Sequence, residues 1–225
     1  MNALTKLALG LIGQWPTRAA VGEGAPTIAL PAPDRAGGKP LMQALARRQS
    51  QRAFAPRALA PAQLSGLLWA AAGINRDKLG GRTAPSALNA QEVQLYVALP
   101  EGLHLYDPQA HVLRQVLHED VRRVTGYQDF VDTAPLDLVY VADHARMKLV
   151  PAARREAYAC TAAGAMAQNV YLYCASEGLA TVIRAWFDTG ALARAMRLDA
   201  DQQLLLTQTV GRPARGARGA KGGQV

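Results

Sequence analysis

The sequence predicts a three-layer domain of the α+β or α/β class, with a central β-sheet between layers of helices. Helix-like and strand-like patterns alternate along the chain, which excludes a β-sandwich and a helix bundle. Residues 136–142 form a nearly continuous apolar run, typical of a strand buried on both faces. The 225 residues are 50% hydrophobic and 19% charged, which is sufficient to bury a sizeable core.

The first 40 residues are predicted to be an N-terminal arm or a signal-like segment. An apolar run at 7–12 resembles the core of a secretory signal, but it is short and no Ala-x-Ala cleavage site follows it. Prolines and glycines then punctuate residues 26–40, which predicts an extended linker. The segment can be interpreted as an export signal or as a loose arm. The first interpretation implies a periplasmic location and the second a cytoplasmic one.

Four segments carry helix patterns. Residues 41–48 form a short one, and residues 61–72 begin with a proline at a first-turn position and repeat apolar side chains at helical spacing. A long alanine-rich helix is predicted over 156–177, because a glycine follows that can end it. Residues 190–197 form the last short helix, and Asp188 is expected to be its N-cap.

Segments rich in β-formers predict the strands of the sheet. Residues 93–99, 103–106 and 111–117 follow one another across short turns, which indicates a meander. A last buried strand is predicted at 204–210. The folded domain is therefore expected over residues 41–213, followed by a basic, flexible tail at 214–225.

The formal net charge of +8 is concentrated at the two ends of the chain. Residues 1–57 carry 8 basic and 2 acidic residues, residues 211–225 carry 4 basic and no acidic ones, and residues 58–210 carry 13 basic and 15 acidic ones. A nucleic-acid-binding domain usually carries its cations on a folded face among aromatic side chains. Aromatic residues make up only 6% of this chain, so no nucleic-acid partner is expected. No apolar stretch reaches the roughly 18 residues of a membrane span, so no stable membrane anchor is expected.

Several common catalytic motifs are missing from the sequence. It contains no Gly-x-Gly-x-x-Gly after a strand, no Walker motif and no His-Glu-x-x-His. Cys160 and Cys174 lie about 21 Å apart along one predicted helix, too far for a disulfide, and are expected to pack as small hydrophobic side chains. No metal site is expected, because ligand spacing is missing among the four histidines: His104, His111, His118 and His144.

The segment Arg48-Gln49-Ser50-Gln51-Arg52-Ala53-Phe54 is the first candidate binding site. Side chains two apart in an extended chain point to one side, so Arg48, Ser50 and Arg52 would form a row, which we call the arginine row. Two guanidinium groups beside a hydroxyl suit a phosphate dianion, since each charge-assisted hydrogen bond contributes roughly 1.5–3 kcal/mol. Phe54 would anchor the row in the core. A solvated basic turn is the alternative interpretation of this segment alone.

Two further segments could face a ligand. The run Arg-Thr-Ala-Pro-Ser-Ala-Leu-Asn-Ala-Gln at 82–91 precedes the strand at 93–99, and its amide side chains can both donate to and accept from a flat polar heterocycle. After the long helix, residues 177–188 continue through β-branched side chains and could lay their backbone along a ligand face. An ordinary connecting loop is the alternative for the 82–91 run when it is taken alone.

Taken together and in this order, these segments resemble the FMN-dependent nitroreductase family. The arginine row with Phe54 looks like the N-terminal phosphate-binding signature of that family, and residues 85–91 look like its Pro-Ser-x-x-Asn-x-Gln loop. The Gly-Leu-x-Thr stretch at 178–181 is similar to the one whose backbone lies on the flavin. The Gly-x-Pro at 211–213 resembles the end of the family's core. The resemblance covers about residues 41–215.

The resemblance implies an α+β fold with three α/β/α layers around a mostly antiparallel sheet, and a homodimer with FMN at the subunit interface. Residues 164–174 of the long helix would suit the dimer contact. A hydride would pass from NAD(P)H through flavin N5 to a nitroaromatic, a quinone or a similar small-molecule acceptor, with no catalytic side chain required. The phosphate would lie on the arginine row, the ribityl chain and ring edge on the 82–91 segment, and one ring face on the backbone of 183–185. The cofactor-binding residues implied are Arg48, Gln49, Ser50, Arg52, Arg82, Pro85, Ser86, Asn89, Ile183, Arg184, Ala185 and Arg215.

The sequence departs from the family pattern beside the flavin. Ile183-Arg184-Ala185 replaces the Pro-x-Glu-Gly of many members, and Gln49 stands where many have a second basic residue. The Arg-Thr-Ala-Pro-Ser run is closer to the branch that includes the azoline-oxidising dehydrogenases. The alternatives are therefore an FMN-dependent dehydrogenase of an organic substrate and a binding protein without turnover, either flavin-binding or acting through its cationic ends.

Overall fold

The computed structural model describes residues 24–214. Residues 1–23 and 215–225, with the signal-like run at 7–12, most of the basic tail and Arg215, lie outside the described residues. The described part contains four α-helices and ten β-strands in this order: β1 (Thr27–Ala29), α1 (Leu41–Arg47), β2 (Phe54–Ala55), α2 (Pro61–Ala72), β3 (Ile74–Arg76), β4 (Gly81–Arg82), β5 (Val93–Leu99), β6 (Gly102–Asp107), β7 (Val112–Leu117), β8 (Leu136–Asp143), α3 (Ala152–Glu177), β9 (Ala180–Arg184), α4 (Thr189–Met196) and β10 (Gln202–Pro213).

Eight of these strands form one sheet in which every pairing is antiparallel. The order across the sheet is β1-β7-β6-β5-β8-β10-β2, and β9 pairs with the second half of β10. The long strand β10 therefore has partners on both sides, and a β-bulge between Leu204 and Leu206 interrupts its pairing with β8. Strands β3 and β4 form a separate hairpin.

Side-chain alternation along the strands divides the core into two halves. Leu95 and Val97 of β5 belong to the cluster on the face of the sheet that α2 and α3 cover. Tyr96 of β5 belongs to the opposite cluster, which contains Leu192 of α4. Because successive strand side chains point to opposite faces, one strand contributes to both halves. The predicted three-layer α+β architecture around a mostly antiparallel sheet is confirmed.

The longer predicted elements lie where the sequence places them, with small shifts at their ends. Helix α3 begins at Ala152, four residues earlier than predicted, because Pro151 precedes its first turn and fits there without a backbone N–H. It ends at Gly178, whose φ of 71° is the left-handed conformation expected of a terminating glycine. Asp188 caps α4 as predicted, accepting a hydrogen bond from the Ala191 N–H at 2.8 Å.

The structure differs from the sequence-based expectations at two places. Part of the expected linker at 26–40 is the edge strand β1, which pairs with β7. Cys174 is buried as expected, but the expectation for Cys160 is wrong, because Cys160 lies on the solvent-exposed side of α3. Among residues 24–214, no helix combines the length and the apolar character that a membrane crossing requires.

Candidate functional site

The arginine row follows directly after α1 and has an extended form. The Arg48 guanidinium lies over the ring of Tyr171, 5.2 Å from its centroid, and Ser50 Oγ lies 2.8 Å from the Tyr171 hydroxyl. The backbone N–H of Gln51 donates to the Thr181 carbonyl of β9 at 2.9 Å, and the side-chain oxygen of Gln51 is buried. Arg48 and Ser50 therefore both face Tyr171, whereas Gln51 between Ser50 and Arg52 is tied to β9.

The charged groups of the row are available to a ligand. Arg48 and Arg52 are exposed, as is Gln49, and no carboxylate in the described part of the chain lies within 4.0 Å of either guanidinium. The C-terminal end of the row is fixed by Phe54 of β2, whose ring packs on Phe130 with 5.3 Å between centroids. Cations without acidic partners among the described residues, on a segment fixed at both ends, form a suitable cradle for an anion.

Tyr171 also joins the row to strand β9. The backbone N–H of Ile183 donates to the Tyr171 hydroxyl at 3.0 Å, so this one oxygen bridges Ser50 and β9. The Thr181 carbonyl and the Ile183 N–H thus both point away from β10. These groups alternate along a strand, and β9 ends at Arg184, so continuing the alternation by one residue would place the Ala185 N–H next on this open edge. Tyr171 is not among the residues predicted from the sequence, although a tyrosine on the buried face of an alanine-rich helix requires a partner for its hydroxyl.

The side chain of Arg184 turns into the protein. Its guanidinium donates to Asp137 Oδ1 at 2.8 Å, to Thr125 Oγ1 at 3.3 Å and to Thr209 Oγ1, and it lies 5.4 Å from the centroid of Phe130. Burial raises the pKa of Asp137, and the Arg184 charge opposes that shift. The side chain of Arg184 is therefore buried, and its main chain pairs with Thr207 of β10. The open edge of β9 offers main-chain groups of the neighbouring residues, which suits the predicted backbone contact but not a contact with Arg184 itself.

The 85–91 loop is built from unusual backbone conformations. Leu88, Asn89 and Gln91 have φ angles of 53°, 52° and 50°, in the left-handed region that non-glycine residues rarely adopt. The loop is held by Ser86 Oγ, which accepts from the Gln91 N–H at 3.0 Å, and by the Gln91 side-chain amide, which donates to the Gly80 carbonyl at 2.7 Å. Such strain is frequent at ligand sites. Pro85 is exposed, whereas Ser86 and Asn89 are half-buried.

A cluster of charged side chains lies behind this loop. Glu92 is fully buried, and neither carboxylate oxygen has a hydrogen-bond partner in the described chain. Burial raises the pKa of Glu92, with Arg82 and Arg146 opposing the shift. Burial, together with the charge of Arg146, lowers the pKa of Arg82 to about 10. Glu92 and Arg146 are not among the residues predicted from the sequence, since nothing in their spacing indicates that they approach Arg82.

The structure places the loop far from the arginine row within one chain. Val93, which follows the loop, pairs with Ala142, and Ala142 pairs with Gln203 near the start of β10. The row leads into β2, where Ala55 pairs with Arg212 near the end of β10. Nine residues of β10 separate these positions, a span of roughly 30 Å at about 3.3 Å per residue. The structure therefore brings together the row and β9, and it does not bring the 85–91 loop to them.

The comparisons with known proteins agree on one family. The model of the nitroreductase family matches residues 45–212. Two relatives bear the name "putative nitroreductase": a Methanocaldococcus jannaschii protein, 33% identical over 66% of this chain and 80% of its own length, and a Ralstonia eutropha crystal structure, 52% identical over 86% of this chain and 92% of that one, with a TM-score of 0.81. The chain belongs to the nitroreductase family, and its class is therefore that of the oxidoreductases.

A more distant solved structure shares the fold. It is a protein of the same name from Desulfovibrio desulfuricans in complex with FMN, 22% identical, with a TM-score of 0.58 over 83% of this chain and 94% of that one. At this identity the similarity establishes the common fold. The FMN belongs to that protein.

Proposed function

We propose that the protein is an FMN-dependent oxidoreductase that transfers reducing equivalents from NAD(P)H to a nitroaromatic, a quinone or a similar small acceptor. The observation that carries the proposal is the arginine row, which exposes two cations and is joined through Arg48 and Ser50 to the same Tyr171 that binds the open edge of β9. When bound, FMN supplies the redox chemistry through its N5 atom. The residues of the chain bind the cofactor, orient it and provide its electrostatic surroundings.

The residues of the row suit the phosphate of FMN. Arg48 and Arg52 supply about ten N–H donors on two fixed forks, and Ser50 supplies a hydroxyl between them. The described chain ends at Ala214, whose N–H donates to the Ala53 carbonyl at 3.1 Å, beside the row. Arg215 is the next residue and is proposed as a further phosphate contact.

The open edge of β9 suits one face of the flavin ring. The Ile183 N–H is already bound to Tyr171, so the Ala185 N–H is the donor that we propose for flavin N5 or O4. The buried pair of Arg184 and Asp137 holds this edge from inside the protein. A donor fixed in this way requires no reorganisation when charge develops on the ring.

The second half of the site is proposed to come from another copy of the chain. The residues implied for the second half precede β5, whose start lies level with Gln203 of β10, whereas the row lies near Arg212. They are therefore too far from the row of their own subunit to reach a cofactor bound there: Arg82, Pro85, Ser86 and Asn89. A homodimer that apposes the loop of one subunit to the row of the other would complete two sites. The exposed face of α3 is proposed as part of that interface, where Gly164 has open space around its Cα.

Purification of the full-length protein tests the cofactor. We expect a yellow protein that releases FMN on denaturation and is bleached by NADH or NADPH. A flavin that stays oxidised with both nucleotides but is reduced by an organic donor would instead indicate the dehydrogenase alternative. A colourless protein that FMN cannot reconstitute would refute the proposal.

Residue-level variants test the phosphate site. Arg52→Ala is expected to weaken FMN binding about tenfold to a hundredfold, because it removes a charge-assisted contact of roughly 1.5–3 kcal/mol. Arg218→Ala, in the glycine-rich tail, is the matched control and should leave the affinity unchanged. Equal effects of the two substitutions would show that the row is not the phosphate site.

Mixed dimers test whether the site is shared between subunits. Arg52→Ala and Arg82→Met should each lower the FMN content of homodimers. When the two variants are co-expressed with different tags, the purified heterodimer should regain one intact site and so half of the FMN of the wild type. A heterodimer as empty as its parents would indicate that each subunit builds its own site.

A further inference from the structure

Two aromatic side chains stand exposed in contact with each other beside the open edge of β9. Trp186 is 74% exposed and Tyr127 is 53% exposed, and their ring centroids lie 5.4 Å apart with the planes tilted by 59°. Exposed single aromatics are common, but two large rings in contact with each other and with solvent leave considerable apolar area in water. Neither side chain takes part in the core clusters of the described chain.

The backbone on both sides of Trp186 fixes its outward position. Arg184 is buried in its ion pair with Asp137, and Phe187 is buried in the core cluster that includes α4. Asp188 then caps α4 through the Ala191 N–H. The chain is therefore anchored two residues before and one residue after Trp186, and the indole cannot enter the core without breaking one of these contacts.

The segment that carries Tyr127 is fixed to the same anchor. A Cβ on Gly126 would come within 2.7 Å of Arg184 Nε, so this glycine allows its backbone to approach the Arg184 side chain closely. The Phe130 ring lies 5.4 Å from the guanidinium of Arg184. The two exposed rings are thus held by segments that share Arg184 as their common support.

The position of the pair suggests what it binds. Trp186 directly follows Ala185, whose N–H is the donor that we propose for the flavin, so any molecule reacting at that ring passes close to the indole. The Arg184 charge is turned inward, which leaves β9 without an ionised side chain at this edge. The electron-rich faces of indole and phenol favour an electron-poor planar ring, and each aromatic contact contributes to affinity beyond its buried area.

We propose that Trp186 and Tyr127 form a binding platform for the planar, electron-poor ring of the oxidising substrate, and so determine its selection. This proposal rests on the proposed function, because it places the platform beside the FMN of that site. Among the acceptors of the proposed function, the platform favours uncharged planar rings such as nitroarenes and quinones. Small inorganic acceptors would gain nothing from the platform.

Reoxidation of the holoenzyme tests the platform independently of the physiological donor. The bound FMN is reduced with dithionite, and its reoxidation is followed at several concentrations of 2,4-dinitrotoluene and of ferricyanide. Trp186→Ala should raise the half-saturating concentration of dinitrotoluene about threefold to tenfold and leave the ferricyanide rate unchanged. Trp186→Phe, which keeps a ring, should stay within about twofold of the wild type, and Leu149→Ala, at another exposed apolar residue, should match the wild type.

The outcomes separate this proposal from the proposed function. An FMN-containing enzyme in which Trp186→Ala changes both acceptors equally, or neither, would overturn the platform while the function stands. A protein that binds no FMN would refute the function, and equilibrium dialysis with dinitrotoluene would still test the platform, since Trp186→Ala must then lower the bound fraction. A variant that dissociates into monomers with an unchanged acceptor ratio would overturn the proposal and assign the pair to the subunit interface.

Discussion

The two segments predicted to form one binding site lie near opposite ends of β10, and their charged groups differ in exposure. At the Arg212 end, the cations of the arginine row are exposed, and the nearby anionic group, Asp137, is buried with its partner Arg184. At the Gln203 end, Glu92 is buried with no hydrogen bond to its carboxylate from residues 24–214, beneath a loop with three left-handed residues. The first end offers charge to a ligand directly. The second end shapes a loop, and we propose that another subunit uses it.

Substitution of the two buried carboxyl groups, Asp137 and Glu92, should change the free energy of unfolding in opposite directions. The larger effect is expected at Asp137. Asp137→Ala should lower the free energy of unfolding by about 3–5 kcal/mol, because it leaves the buried Arg184 guanidinium without its counter-charge. Urea denaturation measures this change. Glu119→Ala, in the exposed pair with Arg197, is the control and should cost less than about 1 kcal/mol. Similar losses in the two variants would contradict the assignment of Asp137 as a structural support.

The bridge that the Tyr171 hydroxyl forms between Ser50 and β9 can be broken by removing that hydroxyl group. Tyr171→Phe leaves the Ile183 N–H without a partner and should cost about 1–3 kcal/mol of stability. It should also weaken FMN binding, since Ser50 loses its contact. Tyr173→Phe, two residues along the same helix, is the matched control and should change the stability by no more than about 0.5 kcal/mol. Thermal denaturation and flavin fluorescence titration measure the two effects, and equal behaviour of the variants would exclude Tyr171 as the bridge.

The smallest effect on the free energy of unfolding is expected at Glu92, near the Gln203 end of β10, and it depends on pH. Burial raises the pKa of Glu92 above its ordinary value of 4.5, so the native state keeps a proton that the unfolded chain loses. The free energy of unfolding therefore falls as the pH rises from that value through the native pKa, by at most about 1.4 kcal/mol per pH unit. Glu92→Gln should remove this fall, and its advantage over the wild type should be larger at pH 8 than at pH 5. A stability difference between variant and wild type that is the same at both pH values would disprove the shift.

The sequence predicts much of the fold because its longer elements carry local information. The apolar alternation of β5, the proline that starts α2 and the glycine that ends α3 each act within a few residues. The short strands β2 and β9 were not predicted, because they become strands only through their pairing with β10.

The candidate site was predicted only in part for a similar reason. The arginine row was found because an extended chain fixes the direction of alternate side chains. The bridging role of Tyr171 depends on a contact 121 residues away in sequence, and the burial of Glu92 depends on neighbours from separate segments. The distance between the row and the loop depends on the register of the whole sheet, which no local pattern contains.

The β-bulge between Leu204 and Leu206 determines to which face of the sheet each later side chain of β10 points. Leu204, before the bulge, packs in the core half that contains α4, and Thr207 and Thr209, after it, point to that same side, where they bond Thr125 and Asp137. Residues at odd separations face opposite sides of a regular strand, so the same residues without a bulge would carry both threonines to the α3 side. Loss of Leu205 would instead leave a regular strand with both threonines in place. The bulge is therefore the point at which β10 can lose a residue without disturbing the support of the candidate site.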